Sequence, residues 1–235
     1  MKRFYKLVSV DAVQNGFEIH LDGRTIKTPM KNILSAPSRK LADKIMTEWA
    51  AQEESIRPDT MPITQILSTR IDKVENERSA MEPIILAYLD TDLVCYHADK
   101  SDELRARQDS IWGVSLNWFA EKYGGALSVT TGLAALKQPQ ELHDAVRENV
   151  LAFDDDHFTI LQLVCAMSGS IVLALAFVHG VVDARHVFDA TRIEEQYKDE
   201  LYDAEKYGPD PAQDKKDKAM LRDLIAAEDY LKLIA

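Results

Sequence analysis

Residues 158–178 read FTILQLVCAMSGSIVLALAFV, and the fold turns on where that run can be buried. It carries no charge over 21 residues, and 16 of them are apolar. A helix that is apolar all round must sit inside a protein core or a bilayer, and about 20 such residues suffice to span a membrane. Thr159, Gln162, Ser168, Gly169 and Ser170 place polar and small groups along the run. No Lys or Arg lies between Arg147 and Arg185 to anchor an end at a headgroup layer. Asp154, Asp155 and Asp156 precede the run, where carboxylates complement the positive end of a helix dipole, and Gly180 follows as a stop. The run is therefore expected to be the central helix of a soluble helical domain, with Gly169 admitting a neighbouring helix at close range. A membrane-associated protein built on the same helix is the alternative.

Working outward, the chain has 235 residues, enough for one large domain or two small ones. Its 46% hydrophobic and 29% charged content is that of a globular protein. A net charge of -11 disfavours nucleic-acid binding, which needs a basic surface against phosphates. Cys95 and Cys165 lie in apolar surroundings without metal-like spacing and read as reduced core thiols. Met1-Lys2-Arg3 runs into an alternating strand and not into the apolar core of a secretory leader. A cytoplasmic location is expected.

Upstream of the apolar run the period changes once. Val8 and Val10, then Phe17, Ile19 and Leu21, alternate with polar neighbours as in half-buried strands. Asn15-Gly16 is a hairpin signal between them, and Asp22-Gly23 offers a second turn. Residues 32–35 suggest one more short strand. From residue 38 the spacing becomes helical: Leu41, Ile45 and Trp49 mark a helix over 38–52, and Ile63, Ile66, Leu67, Ile71 and Val74 mark another beyond a linker held by Pro58 and Pro62. The charged stretch 75–78 then leads to a further helix through Leu89, with Pro83 near its start. Residues 93–96 fit a short strand or a buried helical extension equally. Helices are expected over 102–122, ended by Gly124-Gly125, and again through Leu142, Val146, Val150 and Leu151, with a short extended piece over 127–131. Downstream of the run, Asp183 can cap a helix carrying Val187, Phe188 and Thr191, and Leu221, Leu224, Ile225, Tyr230 and Leu231 form a last one. The fold class is α+β: a small N-terminal β-rich domain with flanking helices (1–90), then a larger α-helical domain (91–235).

No catalytic signature is present: no phosphate-binding glycine loop, paired-cysteine motif, zinc-helix motif or nucleophile elbow. The six histidines show no metal spacing. Two features invite a binding role. One is Asp22-Gly23-Arg24 with Lys27-Thr28-Pro29, a polar cluster suited to an anion or a partner carboxylate, though an ordinary turn with solvated basic side chains explains it too. The other is Glu194-Glu195, where the inward stripe of Val187 and Thr191 meets carboxylates. A buried carboxylate is costly unless paired, so these glutamates either reach water or line the rim of a groove that faces a partner.

Taken together, the ordered set of short motifs resembles the Atp12 family, assembly chaperones of the F1 sector of ATP synthase. The resemblance runs from Arg3-Phe4-Tyr5-Lys6, Gly16-Phe17, Leu21-Asp22-Gly23-Arg24 and Lys27-Thr28-Pro29 through Glu48-Trp49-Ala50-Ala51-Gln52, Met61-Pro62-Ile63-Thr64 and Asp90-Thr91-Asp92-Leu93-Val94-Cys95-Tyr96. Arg107-Gln108, Trp112, Trp118 and Ser168-Gly169-Ser170 with Leu173-Ala174-Leu175-Ala176 complete it. The resemblance implies a β-rich domain joined to a helical one. It implies a monomeric chaperone, with no cofactor, metal or chemistry of its own and no stable membrane insertion. Its partner would be the free F1 α subunit, whose β-facing surface it would shield. It also implies an acidic pair after the Gly-Ser helix that matters for chaperoning. An ungapped count puts that pair on Glu194-Glu195, with Glu in place of the usual leading Asp, and the family's following Trp-Gly on Tyr202-Asp203. A short insertion would put Trp-Gly on Tyr207-Gly208 and the acid on Glu200. The expected partner-binding residues are thus Glu194, Glu195, Glu200, Asp22, Arg24 and Lys27. A small-molecule enzyme using Glu194, Glu195 or Asp22 as acid and base in an interdomain cleft is the second reading.

Overall fold

The computed structural model describes residues 1–201 and 211–235. The chain forms two compact units. The first takes in Met1–Arg78, Asp154–Thr159 and Ala226–Ala235, the second Ser79–Phe153 and Ile160–Ile225. Two late segments of the chain thus return to the first unit. The changeover after Arg78 falls inside a helix, with no linker composition to mark it.

In the first unit, β1 (Val8–Val13) and β2 (Gly16–Leu21) form an antiparallel hairpin, β3 (Arg24–Thr25) pairs with the far end of β2, and β4 (Ser35–Ala36) pairs with its near end. Val13 pairs with Gly16, so the hairpin loop is Gln14-Asn15 and the glycine opens the second strand. Its reason for being glycine is β4: at φ +143, a Cβ on Gly16 would fall 2.6 Å from the Ala36 carbonyl oxygen. Asp22 and Gly23, at φ 49 and 78, make the expected two-residue turn between Leu21 and Arg24. Helix α1 (Arg39–Ala50) starts where Ser38 Oγ accepts the Leu41 N–H, and packs on β1 and β2 through buried Leu41, Ala42 and Ile45.

Pro62 occupies the first turn of α2 (Pro62–Thr69), where its missing N–H costs nothing. A π-helical turn at Arg70–Val74 leads without a break into α3 (Glu75–Leu86). The charged stretch 75–78 is thus helical, and Pro83 lies near the end of its helix and not near its start. Glu and Arg are good helix formers, so nothing in 75–78 stops the helix, and buried Ile71 and Val74 anchor the turn before it.

In the second unit, residues 93–95 form a single 3-10 turn, neither strand nor helical extension, and Tyr96 bridges Thr130. That bridge is the extended character found in 127–131. Helices α4 (Asp102–Tyr123), closed by Gly124 at φ 78, and α5 (Gln140–Ala152) follow as expected. The apolar run is two helices, α6 (Asp155–Ser168) and α7 (Ile171–Val178). Gly169 takes φ +69 to end the first, and Ser170 caps the second by accepting the Leu173 N–H at 2.9 Å. No atom lies within 4 Å of where a Gly169 Cβ would sit, so backbone conformation requires the glycine, not a close helix crossing. Every residue of α7 from Ile171 to Phe177 is buried, against α4 and α8 (Ala184–Leu201). Among the described residues no helix is long and apolar enough to cross a membrane. The last helix, α9 (Pro211–Ile234), buries Leu224, Ala227 and Tyr230.

Candidate functional site

Helix α8 begins where Asp183 Oδ1 accepts the His186 N–H at 2.8 Å, and it buries Val187, Phe188, Ala190 and Tyr197. The Trp112 indole N–H of α4 donates to the Ala190 carbonyl at 2.9 Å, which fixes α8 against α4 inside the second unit. The acidic row that follows is held by α4. Gln108 is fully buried, its carbonyl accepting the Ala98 N–H at 2.7 Å and its amide donating to Glu194 Oε1 at 3.0 Å. Glu194 is thus oriented by a side chain that has no freedom of its own. Glu200 pairs with Arg107 at 2.8 Å, and Arg107 also meets Glu103 at 2.8 Å and covers the Tyr197 ring at 5.1 Å. The hydrogen bonds that Arg107 donates to Glu200 and Glu103 raise its pKa above the ordinary arginine value.

Glu195 is the loosest of the three, 47% exposed with its nearest cation, Arg192, at 3.7 Å. Arg192 itself is only 13% exposed. Its Nε lies 3.2 Å from Asp217 without hydrogen-bond alignment, so the contact is an ion pair and the N–H is left without an acceptor. The face of α8 therefore presents one carboxylate pinned by a neutral amide, one pinned by an arginine and one nearly free. The positions considered for Trp-Gly, Tyr202-Asp203 and Tyr207-Gly208, lie outside the described residues.

Asp22, Arg24 and Lys27 belong to the first unit. The Asp22 carboxylate accepts the Leu7 N–H at 2.8 Å and the Lys6 N–H at 3.1 Å, and these two backbone bonds hold its pKa below the usual carboxylate range. Its function in the fold is to tie the N-terminal segment to the β2–β3 turn. Arg24 and Lys27 are exposed.

The same use of carboxylates recurs at positions the sequence left unassigned. Glu48 of α1 accepts the Ile63 and Thr64 N–H groups, each at 2.8 Å, and the Thr64 hydroxyl at 2.6 Å, capping α2 from 15 residues away. Burial raises its pKa against those bonds. Asp72, on the π-helical turn, takes the Thr28 hydroxyl at 2.5 Å, the Met30 N–H at 3.0 Å and the Asn32 amide at 2.9 Å. Burial alone would raise its pKa, but the three donors outweigh it and hold the pKa low. Asp92 is wholly buried and accepts the Val94 N–H at 3.1 Å and the Val172 N–H at 2.9 Å, at the start of α7. Burial pushes its carboxyl up to about 6 in spite of these donors. Ser168 Oγ donates to the Val164 carbonyl and Ser170 caps α7, so the Ser-Gly-Ser segment is a helix junction. Among the described residues no group of His, Cys, Asp and Glu could hold a metal ion.

Residues 2–120 match the family described as ATP12 chaperone protein. The mitochondrial atp12 protein of Schizosaccharomyces pombe is 26% identical over 209 residues, which cover 83% of this chain and 72% of the relative. Among solved structures, Atp12 from Paracoccus denitrificans superposes with a TM-score of 0.88 at 29% identity, covering 100% of this chain and 98% of that one. The Atu1473 protein of Agrobacterium tumefaciens gives 0.89 at 32% identity, with 100% and 86% covered.

Proposed function

We propose, from the premise that this chain belongs to the ATP12 family of ATP synthase assembly chaperones, that it captures the free F1 α subunit in the cytoplasm and covers the surface later taken by the β subunit. It acts by binding, without a chemical step. The client surface it must shield is aggregation-prone until the permanent partner arrives. The complex must therefore be tight enough to suppress aggregation and weak enough to be displaced.

The observation that carries this reading is the carboxylate row of α8. Glu194 is pre-set by Gln108, Glu200 by Arg107, and Glu195 is left open to a basic group on the client. A pre-organised acidic row favours capture because little side-chain freedom remains to be lost on binding. Asp22 is spoken for by the Lys6 and Leu7 amides, so within the first unit the client-facing part falls to Arg24 and Lys27.

The test compares the unmodified chain with Glu195→Gln and Glu200→Gln. Glu195→Gln is expected to leave thermal unfolding within about 0.5 kcal/mol, as for an exposed side chain, and to lower α-subunit capture about tenfold or more, as for loss of one member of an interfacial charge pair. Glu200→Gln is milder if the ungapped correspondence holds, and stronger if an insertion precedes Tyr207. Full suppression of α-subunit aggregation by both variants overturns the role of α8.

A further inference from the structure

The first unit carries a groove of about 500 Å³ between the 28–32 turn and the α2 wall, lined by Met30, Pro29, Trp49, Ile56, Met61 and Leu34. We propose that this groove docks an extended apolar segment of another polypeptide, one with carboxylates beside its apolar residues. The volume lies in the range of ligand pockets, about 300–1,000 Å³, and takes two or three aliphatic side chains. Met30 is 60% exposed at its mouth. Methionine there is a flexible, polarizable surface that can fit different aliphatic shapes, as at other promiscuous binding faces.

Charge selects the class of segment. The chain as a whole carries a net charge of -11, yet the cations lining this groove are Lys27 and Lys73, both exposed and neither ion-paired among the described residues. The lining carboxylate, Asp72, is 6% exposed and turned onto Thr28, Met30 and Asn32. A visiting carboxylate therefore meets two ammonium groups and no exposed acid, whereas an anionic lipid surface meets an acidic chain. The three bonds to Asp72 also fix the 28–32 turn, including Lys31 at φ 70, so the wall is formed before anything binds. This site is separate from the α8 row; it shares Lys27 with the client-facing part of the first unit, and its test needs no α subunit.

The experiment titrates the whole chain against a fluorescein-labelled hexapeptide, Leu-Val-Leu-Asp-Leu-Glu, and a control with both acids replaced by lysine, reading anisotropy. Trp49 emission gives a second readout. The acidic peptide is expected to bind at least tenfold tighter than the control, with affinity falling as salt screens the lysines. Lys27→Glu with Lys73→Glu, and separately Met30→Asp, should each lower affinity tenfold or more without changing the melting temperature. Glu195→Gln should leave peptide affinity unchanged, so that undiminished α-subunit capture by this variant counts against the α8 reading alone and leaves the groove untouched. Equal binding of the two peptides, or full binding by both groove variants, overturns the proposal. So does sedimentation as a dimer from which the peptide is excluded, which would mean that a second copy fills the groove.

Discussion

Asp92 is sealed from solvent while accepting the backbone N–H groups of Val94 and Val172, and its carboxyl is pushed up to about 6. A carboxyl whose folded pKa exceeds its unfolded value, about 3.9, binds more protons when folded between those two pH values. Its stabilising contribution is therefore complete below about pH 4 and is lost as pH rises through 6. Asp92→Asn is expected to flatten the slope of unfolding free energy between pH 4 and 7, as measured by urea titration at several pH values. Two glycines make a second residue-scale comparison. Gly169 is left-handed in open space, so Gly169→Ala should cost only the conformational strain, about 1–2 kcal/mol. Gly16→Ala adds a collision with the Ala36 carbonyl and should cost more. Equal melting temperatures for the two variants would contradict this account. None of these roles was legible in the sequence, because the partners of Asp92 and Gly16 lie 80 and 20 residues away in the chain.

Helices were legible where an apolar stripe runs along one face, as Leu41 and Ile45 do in α1 or Leu142 and Val146 in α5, since periodicity is a local property of the chain. The break between α6 and α7 was not. A glycine between two serines inside an apolar run reads equally as a packing notch and as a stop followed by a cap, and only the φ of Gly169 and the Ser170–Leu173 bond decide it. The acidic row of α8 was visible as an interruption of the stripe, but Gln108 and Arg107, which pose it, come from α4. Capping at a distance is equally hidden. Helix α2 has Met61 at its N-cap, a residue whose side chain has no oxygen to offer, and Glu48 supplies the missing acceptors from α1. Glu48→Gln turns one of those acceptors into a donor facing donors, and is expected to lower stability by about 1–2 kcal/mol in chemical denaturation. Glu53→Gln, on an exposed neighbour, should be neutral.

Among the described residues, the carboxylates whose pKa values are shifted fall into two groups with opposite responses to acid. Asp22, Asp72, Asp90 and Asp154 have depressed pKa values. Their contribution is present above the ordinary carboxylate range and is lost as pH falls through the folded values. Asp92 and Glu48 run the other way. Stability should therefore climb from strong acid to about pH 4 and then level or sag towards 6. Asp72→Asn should remove part of the acid limb in a melting-temperature series. The two-unit plan was legible in outline, as strands first and helices after, but not the return of the chain at Asp154–Thr159 and Ala226–Ala235. That return has a consequence for synthesis. Ser38 donates to the Leu233 carbonyl at 2.6 Å, and Tyr230 bonds Asp156 within the same unit. A ribosome delivers the N-terminal strands first, yet the unit they belong to stays incomplete until residues 226–235 have left the exit tunnel. The earliest part of the nascent polypeptide is thus the part that waits longest for its core, and a stop codon after Ile225 should expose the β-rich end, not the helical one, to protease.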